Sequence, residues 1–210
     1  MKKGSFYLCA CIVIFSLTSC NDYLDIVPDR TQEVSLLFER EEAAYTALAT
    51  CYSYLPQNDG LYASYALASD EITTPFAKEP NSLKLMKGDQ DADDPLMGFW
   101  SGYGASGRGQ GSLWDGIRSC NLLIENIDQV IDMEQEEKNS WKAEAQLLKA
   151  YYHFLLASNY GPIPIVDNNL SIDASDEELR VHRKSVDEVF AYIMQTIDNA
   201  ITDLPQRVSS

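Results

Sequence analysis

The chain has 210 residues, 45% of them hydrophobic and 23% charged, which is enough apolar material for one substantial core. Its 32 acidic side chains outnumber its 16 basic ones, for a formal net charge of −16. Such a surface repels nucleic acid and anionic headgroups, which argues against nucleic-acid recognition and says little about fold.

The chain opens with Lys2 and Lys3, followed by a mostly apolar, uncharged run from Phe6 to Leu17. That run is too short to span a bilayer as a helix, which needs about 20 residues. A basic start, a short apolar core and small residues at the exit describe a secretory signal. The exit, Leu17-Thr18-Ser19-Cys20, resembles the bacterial lipobox. In lipoproteins the thiol of that cysteine takes a diacylglycerol and the signal is cut before it. The alternative is an ordinary signal with an incidental Cys20. The domain expectation is a signal peptide at 1–19, a lipidated tether at 20–33 and a helical domain at 34–210. Cutting 19 residues from the 210 leaves 191 and removes Lys2 and Lys3, which moves the charge from −16 to −18.

Of five cysteines, Cys9 and Cys11 leave with the signal and Cys20 carries lipid. Cys51 and Cys120 remain, each on the apolar face of an expected helix. There free cysteine acts as a small hydrophobe, although an oxidising compartment permits a disulfide. No CxxC pair occurs, and His153 and His182 lack partners at ligand spacing, so neither a zinc site nor a cofactor is expected.

Residues 21–33 are polar and contain Pro28. A first helix is expected from about Val34 to Leu55, with the stripe Phe38, Tyr45, Leu48, Tyr52 and Leu55. Pro56 and Asn58-Asp59-Gly60 stop it. A short helix over Leu61 to Ser69 follows. The pattern then dissolves from Glu71 to Gly111, punctuated by Pro75, Pro80, Pro95 and seven glycines. A loop of that length inside a domain is usually functional or disordered, and its Phe76, Phe99, Trp100 and Tyr103 argue against a plain linker.

Leu113, Ile117, Cys120, Ile124, Ile127 and Ile131 line a helix expected over about 112–131. Asp132 is expected to cap the next helix with Gln135 as its capping-box partner, and that helix ends at Gly161-Pro162. Trp141, Ala145, Leu148, Tyr151, Tyr152 and Leu155 call for burial of much of its surface, and the Tyr151–Phe154 cluster reads as core. Pro162 to Val166 is extended. A last helix opens at Ser185 with Glu188 as capping partner and carries Val186, Val189, Ile193, Ile197, Ile201 and Leu204. The fold expectation is therefore all-α, antiparallel helix pairs with long irregular loops, and Ala150-x-x-x-Phe154 after Leu147-Leu148 matches the second half of a tetratricopeptide unit only locally. Asn121, unfavourable in mid-helix, calls for a buried hydrogen bond to a neighbouring segment.

Five stretches occur in order beside the lipobox: SCNDYLDIVP, AYTALATCYSYL, WDGIRSCNLLIENID, AEAQLLKAYYHFLLASNYGPIPIV (143–166) and SVDEVFAYIMQTIDNAITDLP (185–205). Together they resemble the amino-terminal part of SusD/RagB-type outer-membrane lipoproteins. The resemblance implies a tetratricopeptide-like scaffold on the surface of a Bacteroidetes-type cell. It implies non-catalytic capture of oligosaccharides, or of peptides in some members, as a lid on a SusC-like TonB-dependent transporter. Members are typically more than twice as long, so the chain resembles a truncated product or an incomplete gene model. A truncated docking partner without ligand binding is the further alternative.

Oligosaccharides stack their apolar faces on aromatic rings while polar side chains hold the hydroxyls. The 71–114 stretch, the loop with the start of the next helix, offers Phe99, Trp100, Tyr103 and Trp114, with Arg108 and Gln110 as polar partners. Trp100, Tyr103, Arg108 and Trp114 are thus the candidate ligand contacts. The bland alternative is that both tryptophans anchor the loop to the helices; contact with the transporter is another. Asp89 to Asp94 starts like a calcium loop, but Asp94 and Trp100 stand where Gly and Glu belong, so no metal is expected. Asp70-Glu71 are adjacent carboxylates, not the opposed pair of a glycosidase.

Overall fold

The structure, a computed structural model, describes residues 38–56, 86–89, 98–102, 111–171 and 173–205, all within a compact unit of Leu37–Ser210. The expected signal and tether, Cys20 and the short helix expected at 61–69 lie outside the described residues. Among the described residues there are four helices and no strand: α1 (Glu41–Ser53), α2 (Leu113–Asn126), α3 (Gln135–Tyr160) and α4 (Val186–Ala200). Each packs on the next in chain order, and α3 also touches α1, so α3 is the central element. The all-α expectation of packed helix pairs holds.

α1 starts later than its periodicity suggests and buries a different arc. Ala44, Leu48 and Cys51 face inward, spaced 4 and 3, while Tyr45 and Tyr52 are largely exposed. Small residues on the inner arc let the neighbouring helices approach closely. The two tyrosines lie along the seam instead: Tyr45 meets the Trp141 ring at 6.0 Å, and the Tyr52 hydroxyl donates to Glu144 Oε2 at 2.8 Å. An apolar ring with a wet tip suits that position.

α2 is set by a full capping box. Ser112 Oγ accepts from the Asp115 N–H at 3.2 Å, and the Asp115 carboxylate accepts from the Ser112 N–H at 2.9 Å. Leu113, Ile117, Cys120, Leu123 and Ile127 fill the core. The helix does not reach Ile131. It tightens into a 3₁₀ turn at Ile127–Gln129, Val130 turns extended and buried, and Ile131 is 84% exposed.

Asp132 was expected to cap α3 and does not. Its Oδ1 accepts from the Glu41 N–H at 2.7 Å, so it caps α1 from 91 residues away. Arg40, the local N-cap of α1, offers no side-chain bond, and Glu134 caps α3 through backbone alone. A carboxylate at a helix start satisfies orphan N–H groups and the positive end of the dipole.

α3 is 26 residues, roughly 39 Å at 1.5 Å per residue. It buries Ala145, Leu148, Tyr152, His153 and Leu156, among others. The Tyr151–Phe154 cluster divides: Tyr152 and His153 are core, but Tyr151 and Phe154 stay exposed on the opposite side. Gly161 ends the helix at φ +72°, donating its N–H to Ala157. An irregular strap leads from Pro162 to α4 and is pinned by Lys184 N–H to the Ile163 carbonyl at 2.8 Å. α4 opens on the expected Ser185–Glu188 capping box. No helix among the described residues is long and apolar enough to cross a membrane.

Candidate functional site

Trp100 and Trp114, fourteen residues apart, come together. A turn at 98–102 closes with the Gly102 N–H to the Gly98 carbonyl at 2.7 Å, and Phe99 is buried beneath it. The Leu113 N–H donates to the Phe99 carbonyl at 2.9 Å, which ties the turn to the start of α2. Gly102 and Gly111 both have positive φ and their backbones touch: a Cβ on Gly102 would stand 2.9 Å from Gly111 C and from Ser112 N. Only glycine fits there. The two ends of the segment that carries Tyr103 and Arg108 therefore meet beside Trp100. Tyr103 and Arg108 themselves lie outside the described residues, as do Asp70-Glu71 and residues 90–94.

Trp100 is the hub of an aromatic cluster. Its ring lies 5.1 Å from Trp114 and 5.4 Å from Tyr160, both edge to face. Its backbone N–H donates to the Tyr160 hydroxyl at 3.2 Å. The Arg183 guanidinium sits 5.0 Å over the Trp100 ring and donates from Nη1 to the Pro162 carbonyl at 3.1 Å. Burial pushes the Tyr160 phenol up, against the opposing pull of the Trp100 N–H. Sequence reasoning missed Tyr160 and Arg183. Tyr160 reads as a helix stop beside Gly161, and Arg183 follows Trp100 by 83 positions with no local signal.

Behind Trp114 the cluster becomes polar. Trp114 meets the His153 ring at 6.2 Å, and His153 meets Tyr192 of α4 at 5.1 Å. His153 is fully buried and its tautomer follows from its partners. Nδ1–H donates to the Lys149 carbonyl at 2.8 Å, and Nε2 accepts from the Val166 N–H at 3.2 Å. Burial lowers the His153 pKa to about 4. Lys149 is also buried, and its ammonium donates to the Asp167 carboxylate and carbonyl, each at 3.0 Å. Tyr192 donates to the same carboxylate at 2.8 Å. Burial alone would raise the Asp167 carboxyl, but the bonds from Lys149 and Tyr192 outweigh it and hold the carboxyl below its usual value. Asn121 makes the expected bond to a neighbour, from Nδ2 to the Val166 carbonyl at 3.4 Å, and its Oδ1 is buried without a partner.

A separate cleft of about 530 Å³ lies between α1 and α2, walled by Phe38, Ala43, Ala47 and Leu122 with Thr46 and Thr50. Both threonine hydroxyls donate to carbonyls of their own helix, leaving their methyl groups to the cleft wall. The described residues hold no group of three His, Cys, Asp or Glu that could bind a metal ion. The tryptophan cluster is chemically suited to a neutral polyhydroxylated ligand: apolar ring faces beside a phenol and a guanidinium.

Comparison with known proteins agrees with this architecture. A SusD-like family model, described as starch-binding and associating with the outer membrane, matches residues 22–210. A laminarin-binding SusD-like protein superposes with a TM-score of 0.64 at 19% identity, over 82% of this chain and 36% of its own. A SusD-like protein from Bacteroides fragilis gives 0.65 at 21% identity, over 83% of this chain and 31% of its own. Surface glycan-binding protein A from Bacteroides uniformis gives 0.61 at 20% identity, over 80% and 36%. At these identities the likeness is one of fold, and the chain spans about a third of the length of each. A search of curated proteins returns no match. With the family model covering nearly all of it, the chain belongs to the SusD-like family.

Proposed function

We propose that this chain belongs to a non-catalytic surface lipoprotein that binds oligosaccharides and passes them to a SusC-like TonB-dependent transporter. The family match over residues 22–210 carries this reading. In it, residues 1–19 are the signal, Cys20 holds the lipid, and residues 20–33 tether a helical domain to the outer membrane. Each buried methylene contributes about 0.8 kcal/mol, so several acyl chains anchor nearly permanently. Trp100 and Trp114 form the ligand platform, with Tyr103 and Arg108 as the further candidate contacts.

Affinity electrophoresis through gels containing starch, laminarin or another neutral polysaccharide tests the binding. Retarded migration on at least one gel is expected, with Trp100→Ala weakening retention about tenfold, or about 1.4 kcal/mol. Unchanged retention in a folded Trp100→Ala chain would remove Trp100 from the site. Three side chains already engage Trp100, which favours a second reading: the cluster anchors the turn and the domain only docks. Free migration of the folded chain on every gel would establish that reading instead.

A further inference from the structure

Cys51 and Cys120 are both free and both fully buried. The helices that carry them touch closely. A Cβ on Gly116 of α2 would stand 2.9 Å from the Tyr54 Cβ at the end of α1 and 3.1 Å from Tyr152 Cε2. Cys120 is one turn further along α2, and Cys51 is nearly one turn back along α1. In this antiparallel register the two cysteines fall opposite each other on helices that touch. A disulfide needs Cα atoms within about 7 Å and side chains that face, and a glycine contact one turn away between the same two helices favours both.

We propose that Cys51 and Cys120 are a modification site: a dithiol that closes into an intramolecular disulfide and staples α1 to α2. The oxidant is an external disulfide. One thiolate attacks it, forms a mixed disulfide and expels one thiol; the second cysteine then displaces the other thiol. Two S–H bonds are lost and one S–S bond is gained, while the external disulfide is reduced to two thiols that take up the protons and electrons. The reaction belongs to folding. In the packed state the neighbouring Cys51 thiol and burial push the Cys120 thiol far up, which suppresses the thiolate. Once formed, the bond closes the whole segment between α1 and α2, which restricts the unfolded chain.

The test is refolding of the full chain from the reduced, denatured state in a buffer of oxidised and reduced glutathione. It does not depend on export or on glycan binding. The quench is iodoacetamide under denaturing conditions, followed by peptide mapping. The expected product is a monomer with Cys51 joined to Cys120, whose Tm falls by several degrees on adding dithiothreitol. Cys51→Ala and Cys120→Ala should each lose that fall. Alkylation of both cysteines in the refolded monomer would overturn the proposal. So would their capture only as glutathione adducts, in intermolecular bonds, or paired with Cys9, Cys11 or Cys20.

Discussion

The buried polar residues around α3 make stability depend on pH. The His153 side chain is neutral in the fold, with a pKa of about 4 against 6.5 in the unfolded chain. A lowered folded value means the unfolded chain takes the proton first. The contribution is therefore complete above pH 6.5 and is lost as pH falls toward 4. At about 1.4 kcal/mol per pH step, roughly 3 kcal/mol is at stake. Asp167 acts in the same direction at lower pH: its carboxyl is held below 3.8, so its contribution is lost only under more acid conditions. Thermal melts between pH 7 and 4 should show a falling Tm, and His153→Asn should flatten that slope while lowering Tm at pH 7. An unchanged slope in the variant would take the titration away from His153. Asp167→Asn should be costlier at pH 7, because the buried Lys149 ammonium loses its counter-charge. We expect a loss of about 2 kcal/mol in urea melts, below the usual figure for a buried pair because Asp167 is itself exposed to water. Asn121 was legible as a buried polar residue because mid-helix asparagine needs a reason. Lys149 was not, since a lone lysine reads as surface by default, and only the strap that carries Asp167 over it explains its burial.

Among the elements, α4 and the end of α3 were readable because their signals are local. Ser185 finds Glu188 three residues on, and Gly161 stops α3 within its own turn. The α2–α3 junction was misread because its deciding contact is not local. Asp132 sits at the spacing of a capping box with Gln135, yet its carboxylate serves the Glu41 N–H, and the Ile131 N–H also reaches the Glu39 carbonyl. Asp132→Ala should therefore loosen α1, not α3. Hydrogen exchange ought to rise at residues 41–44 and stay unchanged at 135–140, with a stability loss of about 1 kcal/mol. Faster exchange at the start of α3 would restore the local capping. Gly116 is the corresponding test of helix packing. Alanine would gain roughly 1 kcal/mol of helix propensity. Its Cβ, however, would meet Tyr54 and Tyr152 at distances that real contacts avoid. Overpacking costs about 1–3 kcal/mol, so Gly116→Ala should destabilise despite the better helix former, by a lower urea midpoint.

At the scale of the molecule, helical periodicity and stop signals were enough to read an all-α chain and its helix order. They could not say which helix faces would find partners. The candidate site shows the same limit: Trp100 and Trp114 were legible as aromatics in one stretch, although Trp114 proves to lie on α2, whereas Tyr160 and Arg183 reach Trp100 only through the fold. The clearest unpartnered face joins α3 to α4. Leu147, Tyr151 and Phe154 lie at helical spacing on one, and Val186, Phe190 and Met194 on the other, all exposed, with Phe154 and Phe190 rings 6.1 Å apart. Helix pairs of this kind need a neighbour to cover such a face, and a contiguous apolar patch promotes association. The chain at hand should accordingly bind a hydrophobic dye such as ANS and self-associate with rising concentration in sedimentation velocity. Phe190→Ser with Met194→Ser should reduce both effects with little change in Tm, because neither side chain contributes to the buried core of α4. A large drop in Tm would mean that this face is packed in solution, and then the dye binding would have to come from the cleft between α1 and α2.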